Sequence, residues 1–296
     1  MAIDADENEG DKLRILVIGC KGMLGTDLMT VLRNMHEVDG VDIEDVDITD
    51  YSSVEKCIAK HRPDIVINAA AYTNVDGAET DPDAAFAVNA VGAGNVARAS
   101  KKSGAYSIYY STDYVFDGTK GDIYTEADEP NPRGIYAKSK RDGEIAALEA
   151  DPASMVARTA WLYGLAGKNF VETMLKLADE KDELGVVDDQ RGSPTWSMHL
   201  AEATSKLLES KPAGIVHVTN SGDATWCGFA NKIFECAGKS VKVVPITTEE
   251  LGRPAPRPKV AVLDGSKYRR ITNDKMPTWQ DALAGYLRAR SNASKR

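Results

Sequence analysis

Cysteine and histidine are both scarce and scattered. Cys20, Cys57, Cys227 and Cys236 show no C-x-x-C spacing, and His36, His61, His199 and His217 stand apart from one another. Neither a disulfide framework nor a zinc site is expected from such spacing, and a reduced, cytoplasmic compartment is the simpler expectation. Basic residues are outnumbered, 36 Lys and Arg against 45 Asp and Glu, for a net charge of −9. That balance argues against nucleic acid as a partner. No apolar run approaches the roughly 18 to 20 residues that span a bilayer, so no membrane partner is expected. The opening MAIDADENEGDK is acidic where a secretory leader would be basic and then apolar, and residues 1–12 are expected to be a solvated tail. Internal repeats and low-complexity tracts are missing too, and LGRPAPRPKV (251–260) is expected to be an ordered loop.

What is present suits a globular enzyme-sized chain. With 296 residues and 43% apolar content, the chain can bury a large core as one domain or two unequal ones. LRILVIG (13–19) is a short apolar run ending in glycine, followed by Leu24, Leu28, Val31 and Leu32 on one helical face. The rhythm repeats. HEVDGVD (36–42) precedes a helix holding Val54 and Ile58, DIVINAAA (64–71) reads as a buried strand, and Asp81-Pro82 opens a long helix through Phe86, Val88 and Val96. AYSIYYST (105–112) is the next strand, with Thr112 placed at the end of what would be the fifth strand. Alternation of this kind predicts an α/β fold, a doubly wound parallel Rossmann-type sheet over residues 13–164. SMVARTAWLYG (154–164) and GIVHVTN (214–220) are expected to be sheet strands as well, so that 199–220 returns to the first domain. The segments 165–198 and 221–296 would then form a smaller α+β lobe across the strand ends, where such folds bind ligands.

GCKGMLG carries Gly19, Gly22 and Gly25 where a strand hands over to a helix. Such a turn lets a pyrophosphate approach the backbone and the helix N-terminus, although its spacing differs from G-x-G-x-x-G and an ordinary Gly-rich turn is the alternative. Asp42 lies 23 residues after Gly19, where a carboxylate would meet an adenosine ribose diol and repel a 2′-phosphate. This leans toward NADH over NADPH. Lys21 pulls the other way, and either charge alone would also read as a surface residue. Tyr136 and Lys140 are one helical turn apart and share a face. Ketone reduction needs hydride at carbon and a proton at oxygen. A phenol near an ammonium and a cationic oxidised nicotinamide would have its pKa lowered toward working pH. Thr112 would hydrogen-bond the carbonyl oxygen.

GMLG, DVDITD (45–50), NAAAYTNVDGAE (68–79), STDYVFDG (111–118), IYAKSKRDGE (135–144), ARTAWLYG (157–164) and DQRGSPT (189–195) together resemble the dTDP-4-dehydrorhamnose reductase family of extended short-chain dehydrogenases, from about residue 13 to about 285. The resemblance implies catalytic roles for Thr112, Tyr136 and Lys140. It implies cofactor contacts at Gly22, Met23, Leu24, Asp47, Ile48, Ala71, Tyr72, Thr73, Tyr136 and Lys140, and substrate contacts at Val75, Thr112, Asp113 and Trp161. Asn89 matches a position that supports the lysine through a water relay in related dehydrogenases. Ala137 stands where glycine is common in the family, and Cys20-Lys21 where Ala-Asn or Ala-Thr is usual. In the Pro/Arg loop, Arg253 and Arg257 would suit a sugar diphosphate or else brace a surface loop. The implied partner is a dTDP-sugar, the implied assembly a monomer or homodimer. Some relatives use magnesium at a dimer contact, but no carboxylate cluster here assigns Mg2+. The implied reaction is reduction of dTDP-4-dehydro-L-rhamnose. Its rivals are another nucleotide-sugar 4-ketoreductase and a non-catalytic NADP-binding regulatory subunit resembling the methionine adenosyltransferase β subunit.

Overall fold

A computed structural model describes residues 12–293. The acidic opening, and with it nearly all of the expected tail, lies outside the described residues. Strands β1 (Arg14–Ile18), β2 (Glu37–Val41), β3 (Ile65–Asn68), β4 (Tyr106–Thr112) and β5 (Met155–Thr159) pair in parallel with one another and with Gly214–His217. The six-stranded order runs Gly214–His217, β5, β4, β3, β1, β2. Thr112 therefore closes the fourth strand and not the fifth, because only three strands precede it.

The strands bury both faces, and their period of two sorts side chains between two helical layers. Ile15, Val17, Ile65 and Ile67 pack with Leu28 and Leu32 of helix α1 (Met23–Leu32) and with Leu200 and Leu207 of helix Ser197–Ser210. Leu16, Ile18 and Val66 point the other way, onto Val54 and Ile58 of helix α2 (Tyr51–His61) and Val96 and Ala99 of helix Ala93–Ser103. Each such fully buried aliphatic side chain contributes about 1.5–3 kcal/mol. Asp81 caps the next helix through Ala84 N at 3.3 Å, with Pro82 in its first turn. The helical run from Pro82 to Ser103 is interrupted by a π-helical turn at Ala87–Gly92.

A second apolar cluster joins Tyr163, Val171, Phe229, Trp279, Leu283 and Tyr286. Small two-stranded pairings accompany it: Glu183–Val187 with Lys242–Ile246, Arg191–Gly192 with Ala224–Thr225, and Leu162–Tyr163 with Thr195–Trp196. Tyr268 and Met276, in the stretch that the sequence assigns to the smaller lobe, pack instead in the core beneath the sheet. Hydrophobic side chains on the short helix Ser266–Thr272 find their cover against helix Ser197–Ser210 and not within the second cluster.

Candidate active site

Most of the residues singled out from sequence follow the C-terminal ends of the parallel strands or lie on the helices and loops that pack there. Gly19 turns the chain after β1 with φ +81, and α1 begins at Met23 with Gly22 as its N-cap. A Cβ at Gly25 would stand 2.0 Å from the Gly19 carbonyl oxygen, so only glycine lets the helix start this close to the strand. No side chain caps α1, which leaves its first amides for an anion. Asp42 follows β2 and reaches this turn, its Oδ2 accepting from the Lys21 amide at 2.8 Å and its Oδ1 from the Ile43 amide at 2.9 Å. Lys21 Nζ pairs with Glu44 at 2.9 Å.

Asp47 spends a carboxylate oxygen on the Thr49 amide and hydroxyl, at 2.9 and 2.7 Å. Ile48 is buried against the π-turn. Ala71, Tyr72 and Thr73 form the loop after β3, and Val75 opens the short helix Val75–Ala78. Asn89, fully buried in the π-turn, holds that loop: its Oδ1 accepts from Tyr72 N at 2.9 Å and its Nδ2 donates to Tyr72 O at 3.0 Å. The backbone carbonyl of Asn89 accepts from the Tyr109 hydroxyl at 2.9 Å. The polar groups of Asn89 are thus taken up by the loop, by Ser139 and by Tyr109.

Helix Ile135–Ala150 presents Tyr136 and Lys140 on one face toward β4. Its start is capped from a distance, the Ile135 amide donating to Glu79 Oε1 at 2.7 Å. Tyr136 is partly exposed and meets Tyr114 edge to face at 5.6 Å between centroids. Burial raises the phenol's pKa, while the neighbouring Thr112 hydroxyl pulls it back down. The lowering expected from the Lys140 ammonium, one of the two cations invoked from sequence, is not seen in this structure. The reason is geometric: the buried Lys140 ammonium donates to the Tyr110 carbonyl at 2.7 Å and lies 4.2 Å from the Tyr109 ring centroid. Burial also brings Lys140 down to about 7, partly offset by Glu144.

Thr112 accepts from the Tyr114 amide at 3.2 Å and donates to Asp113 Oδ1 at 3.0 Å. Asp113 is buried with Oδ2 lacking a protein partner, and burial pushes its carboxyl up to about 7. Trp161 bends the chain between β5 and Leu162–Tyr163 with φ +45, a backbone region that few non-glycine residues adopt. Its indole stacks on Trp226 at 3.5 Å and 5°, and Trp226 Nε1 donates to Gln190 at 3.1 Å. Sequence reasoning passed over Trp226, which no local pattern singles out.

Arg253 and Arg257 are engaged within the chain. Both pair with Asp76, Arg253 Nη1 at 3.0 Å and Arg257 Nη2 at 3.0 Å to each oxygen, tying the Pro/Arg loop to helix Val75–Ala78. Among the described residues, no cluster of three or more His, Cys, Asp or Glu is arranged to hold a metal ion. No described helix is long and apolar enough to cross a membrane.

Known proteins resemble this chain over nearly its whole length. The family model described as RmlD substrate binding domain matches residues 13–291. A dTDP-4-dehydrorhamnose reductase of Streptomyces griseus is 42% identical over 278 residues, covering 91% of each chain. The Bacillus subtilis spore coat polysaccharide biosynthesis protein SpsK is 43% identical over 283 residues, 95% of this chain and 99% of its own. The crystal structure of a dTDP-4-dehydrorhamnose reductase from Clostridium acetobutylicum superimposes with a TM-score of 0.91 at 41% identity, covering 94% of this chain and 99% of the other. One from Bacillus anthracis, solved in complex with NADP, gives 0.91 at 40% identity with the same coverage. By a match that spans the sheet and the second cluster alike, the chain belongs to the dTDP-4-dehydrorhamnose reductase family.

Proposed function

We propose that the protein reduces the C4 ketone of dTDP-4-dehydro-L-rhamnose to give dTDP-L-rhamnose, with a nicotinamide cofactor. The observation that carries this reading is Thr112, at the end of β4, beside Tyr136 on the helix that also brings Lys140 to Tyr110 of the same strand, in a chain of this family. The uncapped start of α1 fits a cofactor pyrophosphate, which the amides of Gly22, Met23 and Leu24 would hold. When bound, NAD(P)H supplies the hydride that the ketone carbon needs.

The remaining work falls to side chains of this chain. Tyr136 gives its proton to the ketone oxygen, and a phenol raised by burial still carries that proton at neutral pH. Thr112 positions the oxygen. Lys140 would hold the nicotinamide ribose and, with a cofactor bound, favour the phenolate left behind. We assign further cofactor contacts to Gly19, Asp42, Asp47, Ile48 and the Ala71–Tyr72–Thr73 loop, and substrate contacts to Val75, Asp113 and Trp161. The lobe of 165–198 and 221–296, apart from the stretch around Tyr268 and Met276 that packs beneath the sheet, would cover the sugar nucleotide, in a cytoplasmic monomer or homodimer.

Cofactor choice is the finer part of the proposal. Asp42 stands at the end of β2 and the Lys21 ammonium is taken by Glu44, so we retain a modest lean to NADH. The relative from Bacillus anthracis was solved with NADP, which favours the other cofactor. A second reading of the sugar has its own support: a probable dTDP-4,6-dihydroxy-2-methyloxan-3-one 4-ketoreductase of Streptomyces antibioticus is 39% identical over 92% of this chain. The test is loss of NAD(P)H absorbance by the purified protein against a panel of dTDP- and UDP-linked 4-keto sugars. Fastest turnover on dTDP-4-dehydro-L-rhamnose supports the first reading, faster turnover on another dTDP-ketosugar the second, and none at all refutes both.

A further inference from the structure

Lys140 is held by more than the helix that carries it. Its ammonium is buried, with one hydrogen bond, to the Tyr110 carbonyl at 2.7 Å. The carboxylate one turn along, Glu144, is already committed: Arg158 Nε and Nη2 donate to it at 2.7 Å each and Arg141 Nη1 at 2.9 Å. What faces the ammonium from β4 is the ring of Tyr109, 4.2 Å away at its centroid. An aromatic face attracts a cation, most strongly where water is excluded.

That ring is fixed at its far end. The Tyr109 hydroxyl donates to the Asn89 backbone carbonyl at 2.9 Å, inside the π-turn whose side chain grips the Tyr72 loop. The approach is close enough that a Cβ at Gly143 would lie 2.1 Å from the Asn89 oxygen and 2.5 Å from the Tyr109 hydroxyl. Neighbouring β4 residues alternate, so Tyr110 turns to the opposite layer and bonds Thr204 at 2.7 Å. Tyr109 alone of this pair lies under the lysine.

We propose that Tyr109 is a positioning residue for Lys140, its ring face holding the ammonium and its hydroxyl registering that ring against Asn89 and the loop of Ala71, Tyr72 and Thr73. The placement links the Tyr136–Lys140 helix to the cofactor loop through one side chain. Its kinetic consequence rests on the reductase reading, whereas its electrostatic consequence does not. The charged and titratable groups facing Lys140 are Glu144, with its partners Arg158 and Arg141, and Tyr136 on its own helix, then Tyr109 from β4. The π-turn contributes no titratable side chain. The ring therefore favours the protonated amine, and losing it lowers the pH at which Lys140 gives up its proton.

Titration of Lys140 by NMR of lysine labelled at Cε, with the resonance assigned by its loss in Lys140→Met, tests this without turnover. Tyr109→Phe keeps the ring and should titrate within a few tenths of a unit of the wild type. Tyr109→Leu should titrate lower by roughly half to one and a half pH units, the span that the strength of such contacts implies. Pentafluorophenylalanine at position 109 preserves the shape and reverses the ring's charge distribution, so it should shift at least as far, and it serves if the leucine protein does not fold. The alkaline limb of kcat should move by the same amount with KM for the sugar nucleotide unchanged. A lysine that titrates alike in all of these proteins, or a phenylalanine protein shifted as far as the leucine one, overturns the proposal. A shifted lysine in a protein that never oxidises NAD(P)H upholds it and defeats the reductase reading instead.

Discussion

Asn89 holds Tyr72 by both of its backbone groups, Oδ1 on the amide at 2.9 Å and Nδ2 on the carbonyl at 3.0 Å. A side-chain amide is thereby used as a strand would be, fixing the Ala71–Tyr72–Thr73 loop to the π-turn. Asn89→Ala would remove both hydrogen bonds to the part-buried Tyr72 backbone, at about 1 kcal/mol each. We expect KM for NAD(P)H to rise by about tenfold or more while KM for the sugar nucleotide changes little. Steady-state kinetics with each substrate varied in turn distinguishes this from a general loss of folded protein.

Tyr136→Phe should lower kcat by about 10²-fold or more, because a positioned acid typically contributes 10² to 10⁴. Cofactor affinity, followed by fluorescence of bound NADH, should stay near that of the wild type. Near wild-type turnover would remove the phenol from the proton-transfer step.

Much of this was legible before any coordinates. Alternating apolar runs marked the parallel sheet, since strands covered on both faces have few polar interruptions. The i, i+4 spacing of Tyr136 and Lys140 put them on one helical face. What could not be read was direction and pairing at a distance. Nothing local in the sequence shows that Lys140 turns to Tyr110 and Tyr109, nor that Asp76 holds Arg253 and Arg257 from 177 and 181 positions away. The bend at Trp161 was hidden as well, because a tryptophan at positive φ runs against the usual backbone preference and is kept there by its packing on Gly192 and Trp226.

Lys140 also carries a stability cost whose sign follows from its depressed pKa of about 7. Between about pH 7 and the unfolded value near 10.4, the unfolded chain binds a proton that the native protein lacks, so wild-type stability rises with pH through that window. Below about pH 7 the full penalty of the buried ammonium is present. Lys140→Met should therefore be more stable than the wild type by several °C in Tm at pH 6 to 7. The gap should close toward pH 10. Thermal denaturation of both proteins across this range checks the slope, and the variant should lose turnover even where it gains stability.

In the proposed cofactor site, Asp42 and Lys21 would make opposing demands on an adenosine ribose. Because Asp42 bonds the Lys21 and Ile43 amides, Asp42→Asn keeps an acceptor at the turn while removing its charge. The ratio of kcat/KM for NADPH over NADH should rise by about tenfold. Lys21→Ala should change it by less than about threefold the other way, since an exposed lysine paired with Glu44 is well screened. An unchanged ratio in the Asp42 variant would mean that this carboxylate serves only the turn.

The proposed reaction is hydride delivery to C4 of a dTDP-linked ketosugar, with the proton supplied by the protein. Supplying dTDP-4-dehydro-L-rhamnose and NAD(P)H deuterated at nicotinamide C4, using each of its two stereospecifically labelled forms in turn, tests this directly by mass spectrometry and proton NMR of the product. The account predicts dTDP-L-rhamnose carrying one deuterium at C4 of the sugar with one labelled form and none with the other. Product lacking deuterium with both forms, or deuterium found at another carbon, would contradict it.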